Sequence, residues 1–199
     1  MCTEPRALDW DKQGGLLPAI VQDATNRRVL MLGYMNRQAL ATTLDSGRVT
    51  FYSRSKQRLW TKGESSGHFL QLVAITADCD ADTLLVQAIP RGPTCHRGTP
   101  SCFDDAPADF LAELDTLIAQ RHAQRPQGSY TTKLFDAGVR RIAQKVGEEG
   151  VETALAAVAQ GDDELAGESA DLIYHLLVLL RARGLGWDDV VAKLRERHR

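Results

Sequence analysis

Proline divides this chain. Four of its seven prolines fall between positions 90 and 107, and only Pro126 follows them. A proline inside a helix removes a hydrogen bond and clashes with the preceding turn, so a long helical region can begin only after Pro107. From Asp109 onward apolar residues recur at helical spacing, as in Leu111, Leu114 and Ile118,. Before Pro90 the apolar runs are short and bounded by turn residues, which is the pattern of strands. The expectation is therefore a multi-domain chain. An N-terminal β-rich α+β domain spans 1–105, and a C-terminal all-α helical-bundle domain spans 106–199.

In the first half, Leu17–Gln22 and Val29–Met35 read as strands flanking the turn-rich Asp23-Ala24-Thr25-Asn26,. Asn36 is the expected cap and Gly47 the expected stop of a short helix carrying Leu40 and Leu44. Another strand runs Val49–Ser53. The following stretch, residues 54–68, gathers Arg54, Lys56, Arg58 and Lys62 with serines and glycines around Trp60. Such a loop can hold a phosphate and a flat ring, although the same composition suits a solvated connection. Phe69–Thr76 and Thr83–Ile89 then form a hairpin whose tip is Asp78-Cys79-Asp80-Ala81-Asp82.

Three of the four cysteines lie within 24 residues of one another, at Cys79, Cys95 and Cys102, and His96 follows the second. Thiolates with imidazole suit Zn²⁺, and three protein ligands leave a fourth position for water. The alternating aspartates offer hard oxygens for Mg²⁺ or Ca²⁺. An Asp-rich stretch is equally the ordinary chemistry of a hairpin tip. If the row is extended, the three aspartates share one face and Cys79 points to the other; a tight turn would void that argument. The Pro/Gly/Cys-rich segment 90–107 needs something to pin it, and a metal would do so.

Composition narrows the function classes. Lys plus Arg number 24 against 26 Asp plus Glu, so no basic field advertises nucleic acid or a membrane surface. Met1 to Trp10 is mixed and polar, and Leu176 to Leu180 is far too short to span a bilayer,. Clustered cysteines without a secretory stretch point to a reducing, cytoplasmic setting.

In the second half, a helix over 109–125 is followed by a long one over 133–159, another capped by Asp162 or Asp163, and a last from Trp187 to His198. Four helices with short connections predict an antiparallel bundle. Glu148, Glu149 and Glu152 share a face of the second helix, and Glu168 and Asp171 are three apart on the third,. Leu172–Leu180 is apolar nearly all round, which buries that helix. Two carboxylates ~5 Å apart repel by about 3 kcal/mol at an effective dielectric of ~20. Several facing one another need cations between them, and all-oxygen ligation favours Mg²⁺ or Mn²⁺.

These motifs carry a double resemblance. Gly33-Tyr34-Met35-Asn36, Phe51-Tyr52-Ser53-Arg54-Ser55, Leu59-Trp60-Thr61-Lys62-Gly63-Glu64, Ser66-Gly67-His68, the aspartate row and Gly92-Pro93-Thr94-Cys95-His96 resemble phosphoribosyl-AMP cyclohydrolase, over about Leu16 to Phe103. The resemblance implies zinc at Cys79, Cys95 and Cys102, with Cys79 supplied by a dimer partner, and Mg²⁺ at Asp78, Asp80 and Asp82. Hydrolytic opening of an adenine ring needs a strong nucleophile, and zinc lowers the pKa of water from about 15.7 towards ~7. His68 and His96 are the candidates for proton transfer, and Arg54, Lys56, Trp60 and Lys62 for substrate binding.

Ser129-Tyr130-Thr131, Lys145-Val146-Gly147-Glu148-Glu149, Glu152 and the stretch Glu168–His175 resemble phosphoribosyl-ATP pyrophosphohydrolase, over about Phe110 to His198. Here the resemblance implies Mg²⁺ at Glu148, Glu149, Glu152, Glu168 and Asp171. One carboxylate of Glu149 and Glu152 would orient the attacking water, with Lys133 and Lys145 on phosphate. The expected protein is a bifunctional, dimeric, cytoplasmic enzyme of histidine biosynthesis acting on phosphoribosyl nucleotides. The competing expectation is a house-cleaning nucleotide pyrophosphohydrolase whose metal-stapled N-terminal half selects substrate.

Overall fold

A computed structural model describes residues 8–12 and 14–198; the polar character expected of residues 1–7 lies outside these. The chain forms two compact units, 1–109 and 110–199. Residues 106–109 go with the first unit, beyond the expected division at 105. The backbone N–H of Asp109 donates to the carbonyl of Asn26, at 2.7 Å, which ties this end of the linker to a turn of that unit.

The N-terminal unit is built from β1 (Leu17–Asp23), β2 (Val29–Met35), α1 (Arg37–Ser46), β3 (Thr50–Ser53), β4 (Arg58–Thr61), β5 (Leu70–Ala77) and β6 (Leu84–Pro90). Four strands form one sheet in the order β2-β1-β6-β5, and β3 pairs with β4. The β1–β6 pairing is parallel and the others are antiparallel. Burial alternates along β1, with Leu17, Ala19, Val21 and Asp23 inside, as the two-residue period of a strand requires. Leu17, Ala19 and Val21 pack with Leu84, Val86, Leu40, Val49 and Phe51 into one core. The opposite face stays apolar in part. Ile20 pairs with Leu32 on one side and Leu85 on the other, and Leu32 and Leu85 are exposed.

Local chemistry sets the boundaries. The Asn36 side chain accepts from the Ala39 N–H, and Gly47 closes α1 in the left-handed conformation,. Gly33 lies against the Phe51 ring, where an added Cβ would come within 2.4 Å; a side chain there would push the ring out of the core. The basic stretch after β3 is not one loop, because Arg58–Thr61 pairs back onto β3 and sets Trp60 opposite Phe51. The two ring centroids are 5.6 Å apart.

The C-terminal unit is helical throughout: α2 (Phe110–Gln124), α3 (Tyr130–Ala137), α4 (Val139–Ala159), α5 (Asp162–Ala182) and α6 (Trp187–Arg197). Five helices replace the expected four because the long helix over 133–159 is broken. Gly138 sits at φ 84°, ψ 170°, a conformation available essentially to glycine alone, and it ends α3 and starts α4. The cap of α5 is Gly161, with Asp162 and Asp163 in its first turn. There their charge favours the positive end of the helix. Ile118, Leu134, Phe135, Ile142, Leu177 and Val178 form the core. Burial of α5 is one-sided, since Ile173 remains exposed. No helix among the described residues is long and apolar enough to cross a membrane.

Candidate active sites

The cysteine-bearing loop of the first unit is pinned by its own hydrogen bonds. The Cys102 N–H donates to the Leu30 carbonyl and the Ser101 hydroxyl to the Val29 carbonyl, at 2.8 and 2.7 Å. Both carbonyls lie on β2, the edge strand of the sheet, so its unpaired side receives the loop. A reverse turn then brings Cys95 back, through the Gly98 N–H to the Cys95 carbonyl and the Cys95 N–H to the Thr99 carbonyl.

A cavity of about 380 Å³ opens there, lined by Cys95, Cys102, His68, His96, Lys62 and Trp60 together with Ser65 and Ser66. Both thiols line it, and His96 Nδ1 lies 3.9 Å from the Cys95 sulfur. Their acidities diverge. The backbone N–H of Arg97 and the Thr99 side chain lower the pKa of Cys95. Burial, then the neighbouring Cys95, raises that of Cys102. Lys62 is buried and donates to the His68 carbonyl at 3.2 Å; desolvation lowers its pKa,. Gly92 shapes the wall. It sits at φ 104°, and an added Cβ would lie 2.6 Å from the His68 ring.

The aspartate row is a turn, not a strand. Ala81 has a positive φ of 61°, and one oxygen of Asp78 accepts the N–H groups of Asp82 and Thr83. The alternation argument for Cys79 therefore falls, and Cys79 lies beside Asp80, its sulfur 3.8 Å from a carboxylate oxygen. The turn still gathers Asp78, Asp80 and Asp82, whose oxygens come within 4.8 Å of one another. Lys12 answers that charge, with its ammonium 2.7 Å from Asp82 and in contact with Asp80. A divalent cation would compete with this ammonium for the same oxygens. Cys79 is exposed and does not line the cavity of Cys95 and Cys102.

Of the expected substrate contacts in this unit, Trp60 and Lys62 line the cavity and Arg54 and Lys56 do not. Arg54 lies over the Tyr34 ring, 3.8 Å from its centroid, and Lys56 is on the exposed β3–β4 turn.

In the helical unit α4 and α5 bring Glu149, Glu152 and Glu168 together, their oxygens within 4.8 Å. Glu149 is buried, and Lys145 reaches it at 2.7 Å. That ammonium lowers the pKa of Glu149. Burial, then the charges of Glu149 and Glu168, raises that of Glu152. Glu148 is turned away from the trio onto Lys145, Gln144 and Arg141. Adjacent residues on a helix point about 100° apart, so Glu148 and Glu149 flank Glu152 from opposite sides and only one of them faces α5. Asp171 is exposed and stands outside the trio. Lys133 is exposed on α3.

Four residues quoted only within motifs have specific contacts here. His175 is 4% exposed. Its Nε2 is 3.0 Å from the Tyr130 hydroxyl, its Nδ1 is 2.9 Å from the Asp171 carbonyl, and the same Nδ1 is 3.6 Å from Glu149. The hydroxyls of Tyr174 and Thr131 are 2.7 Å apart. One signal was available in the sequence. His175 interrupts the apolar run of α5 on the side that carries Glu168 and Asp171.

Two family models divide the chain between them. Phosphoribosyl-AMP cyclohydrolase matches residues 31–104 and phosphoribosyl-ATP pyrophosphohydrolase residues 111–198. Among curated proteins, the histidine biosynthesis bifunctional protein HisIE of Xanthomonas campestris pv. campestris is 72% identical over 193 residues, covering 97% of this chain and 94% of the relative. The protein of that name from Xylella fastidiosa (strain Temecula1) is 69% identical, with both chains covered completely. That of Escherichia coli (strain K12) is 60% identical, covering 97% of this chain and 96% of its own.

Proposed function

Since the chain belongs to the HisIE family of bifunctional histidine-biosynthesis proteins, we infer that its two sites act in succession, each with metals of its own. The C-terminal unit hydrolyses phosphoribosyl-ATP to phosphoribosyl-AMP and pyrophosphate. The N-terminal unit opens the adenine ring of phosphoribosyl-AMP. One observation carries the reading of the sites: each unit gathers its own ligand set, thiols and imidazoles in one cavity and three carboxylates between two helices.

The donor sets fit the metals. Paired thiols beside a histidine suit zinc, and trios of carboxylates suit Mg²⁺. We assign Cys95 and Cys102 to zinc, with Cys79 from a second subunit as the third ligand. Asp78, Asp80 and Asp82 hold Mg²⁺ in place of Lys12, and Glu149, Glu152 and Glu168 hold Mg²⁺ in the helical unit. Zinc would supply a lowered water pKa, about 7 rather than 15.7, and Mg²⁺ would neutralise phosphate oxygens.

The chain's own groups do the rest. Trp60 offers its ring face to the adenine, Lys62 and the serines at 65 and 66 meet polar groups of the nucleotide, and His68 or His96 carries the proton to the ring nitrogen. In the helical unit Glu149 or Glu152 orients the attacking water. Lys145, released from Glu149 when a cation takes its place, is available to phosphate. The apolar row Leu32, Ile20 and Leu85, exposed at its two ends, supports a homodimer, and ligation through free thiols supports a cytoplasmic setting.

The test is an assay of both steps on the purified chain supplied with phosphoribosyl-ATP, Zn²⁺ and Mg²⁺. Pyrophosphate release followed by the absorbance change of ring opening is the expected result. Pyrophosphate without ring opening would favour a house-cleaning pyrophosphohydrolase instead.

A further inference from the structure

His175 and Tyr130 have no part in the assignments above, yet their contacts converge on one ligand. The Asp171 carbonyl can only accept, so the 2.9 Å contact puts a proton on His175 Nδ1,. In the neutral ring Nε2 then offers a lone pair, and the Tyr130 hydroxyl donates into it at 3.0 Å. The rings meet edge to face at 89°. Each nitrogen thereby has a fixed partner, which sets both tautomer and ring orientation.

The same Nδ1 stands 3.6 Å from Glu149 Oε1. That is too long for a hydrogen bond, and the proton on Nδ1 is already given to the Asp171 carbonyl; what the buried carboxylate meets is the electropositive Nδ1–H side of a ring held in place. His175 and Glu149 are both about 95% buried, and a dipole acts strongly where water is excluded. Tyr130 opens α3 immediately after its cap Ser129. A second strut, the 2.7 Å contact of Thr131 with Tyr174, joins the same helices. The phenol is thus held in register with the imidazole it meets.

We propose that His175 is a positioning residue for Glu149, and that Tyr130 fixes the imidazole in the orientation that does this. The proposal rests on the reading of Glu149 as a metal ligand. The imidazole, fixed between the Asp171 carbonyl and the phenol, would set the electropositive side of its ring beside the carboxylate and so keep Glu149 in place for a cation. Removing such outer partners of a metal ligand typically weakens metal affinity by about 10–100-fold.

Mn²⁺ binding to the full chain, counted by electron paramagnetic resonance of the free ion, tests this. The background carries Asp80→Asn and Asp82→Asn, so that the helical site dominates. His175→Asn keeps an N–H near the Nδ1 position and loses Nε2; His175→Gln does the reverse. The expected result is a Kd raised about 10–100-fold in His175→Gln, with His175→Asn much closer to the parent. Tyr130→Phe deletes a single oxygen from a half-exposed ring, and its Kd should rise by less than that of His175→Gln. Equal weakening by Asn and Gln would reduce His175 to packing, and an unchanged Kd in Tyr130→Phe would remove the phenol from the arrangement. If the parent background binds Mn²⁺ no better than its Glu152→Gln derivative, the metal assignment itself fails.

Discussion

Replacing Gly92 by alanine should impair ring opening through two separable effects. The first is backbone strain. Gly92 sits at φ 104°, and an L-residue forced into a left-handed conformation costs about 1–2 kcal/mol. For a unit of this size each kcal/mol moves Tm by roughly 4–8 °C, so the first unfolding transition should fall by about 4–16 °C. The second is steric. The new methyl would lie 2.6 Å from Cδ2 and 3.0 Å from Cγ of His68, so the imidazole must swing away. Because His68 lines the cavity of the two cysteines, that swing withdraws a proton carrier from the site, an effect of about 10²–10⁴-fold if His68 is the group in use. Gly47→Ala is the control. Gly47 also has a positive φ, of 66°, but nothing lies within 4 Å of a Cβ there, so it should show the strain with ring opening intact. Thermal unfolding and both activities would be measured on the two variants. Equal ring-opening rates in Gly92→Ala and Gly47→Ala would refute the steric argument.

The two ligand sets should fail independently. Cys95→Ser should lose zinc by elemental analysis and lose ring opening by about 10³-fold or more while pyrophosphate release persists; Glu152→Gln should show the reverse, and loss of both activities in either folded variant would contradict the division. Mixing inactive Cys79→Ser with inactive Cys95→Ser subunits should restore some ring opening, because one hybrid site then has only intact ligands. No recovery despite demonstrated exchange would place Cys79 outside a shared site. In chelator, Glu152 gives a pH signature. Its folded pKa lies above the ordinary 4.5, from burial and then Glu149 and Glu168, so the folded state holds its proton more tightly. Stability from this group rises as pH falls from 7 through that raised value towards 4.5. Glu148 and Glu149, lowered chiefly by Lys145, lose their contribution only below the ordinary value. Thermal unfolding against pH should therefore be flatter in Glu152→Gln, and parallel curves would exclude the effect.

What could be read from the sequence was periodic or covalently local. The strand pair β1–β2, the cap Asn36 and the stop Gly47 are each fixed by residues a few positions apart, and the division of the chain follows from where proline can stand. The break at Gly138 was missed because apolar spacing continues across it, while the backbone angle that ends α3 leaves no mark on that spacing. The aspartate row was read for its alternation, but Ala81 takes a left-handed angle and Asp78 ties the turn shut. Glu148 and Glu149 are equivalent on paper. The choice between them is made by where α5 packs, and that is a tertiary fact. Arg54 carries a charge suited to phosphate, yet Tyr34 takes its face, a contact between β2 and the β3–β4 turn that no short window contains.

The parallel pairing of β1 with β6 imposes an order on biosynthesis. Ala19 must wait for Leu84 before its second neighbour exists, so a nascent chain carries β1 and β2 as an open hairpin while about fifty further residues are made, from Met35 to Leu84. Closing so large a loop is slow relative to helix–helix contacts between sequence neighbours, such as those of α4 with α5. The loop bearing Cys95 and Cys102 leaves the ribosome later still, and it docks on Val29 and Leu30 of a strand made long before. Cys95 and Cys102 therefore reach their positions only where β2 is there to receive the loop, and Cys102 is the last residue of the cavity wall to be synthesised.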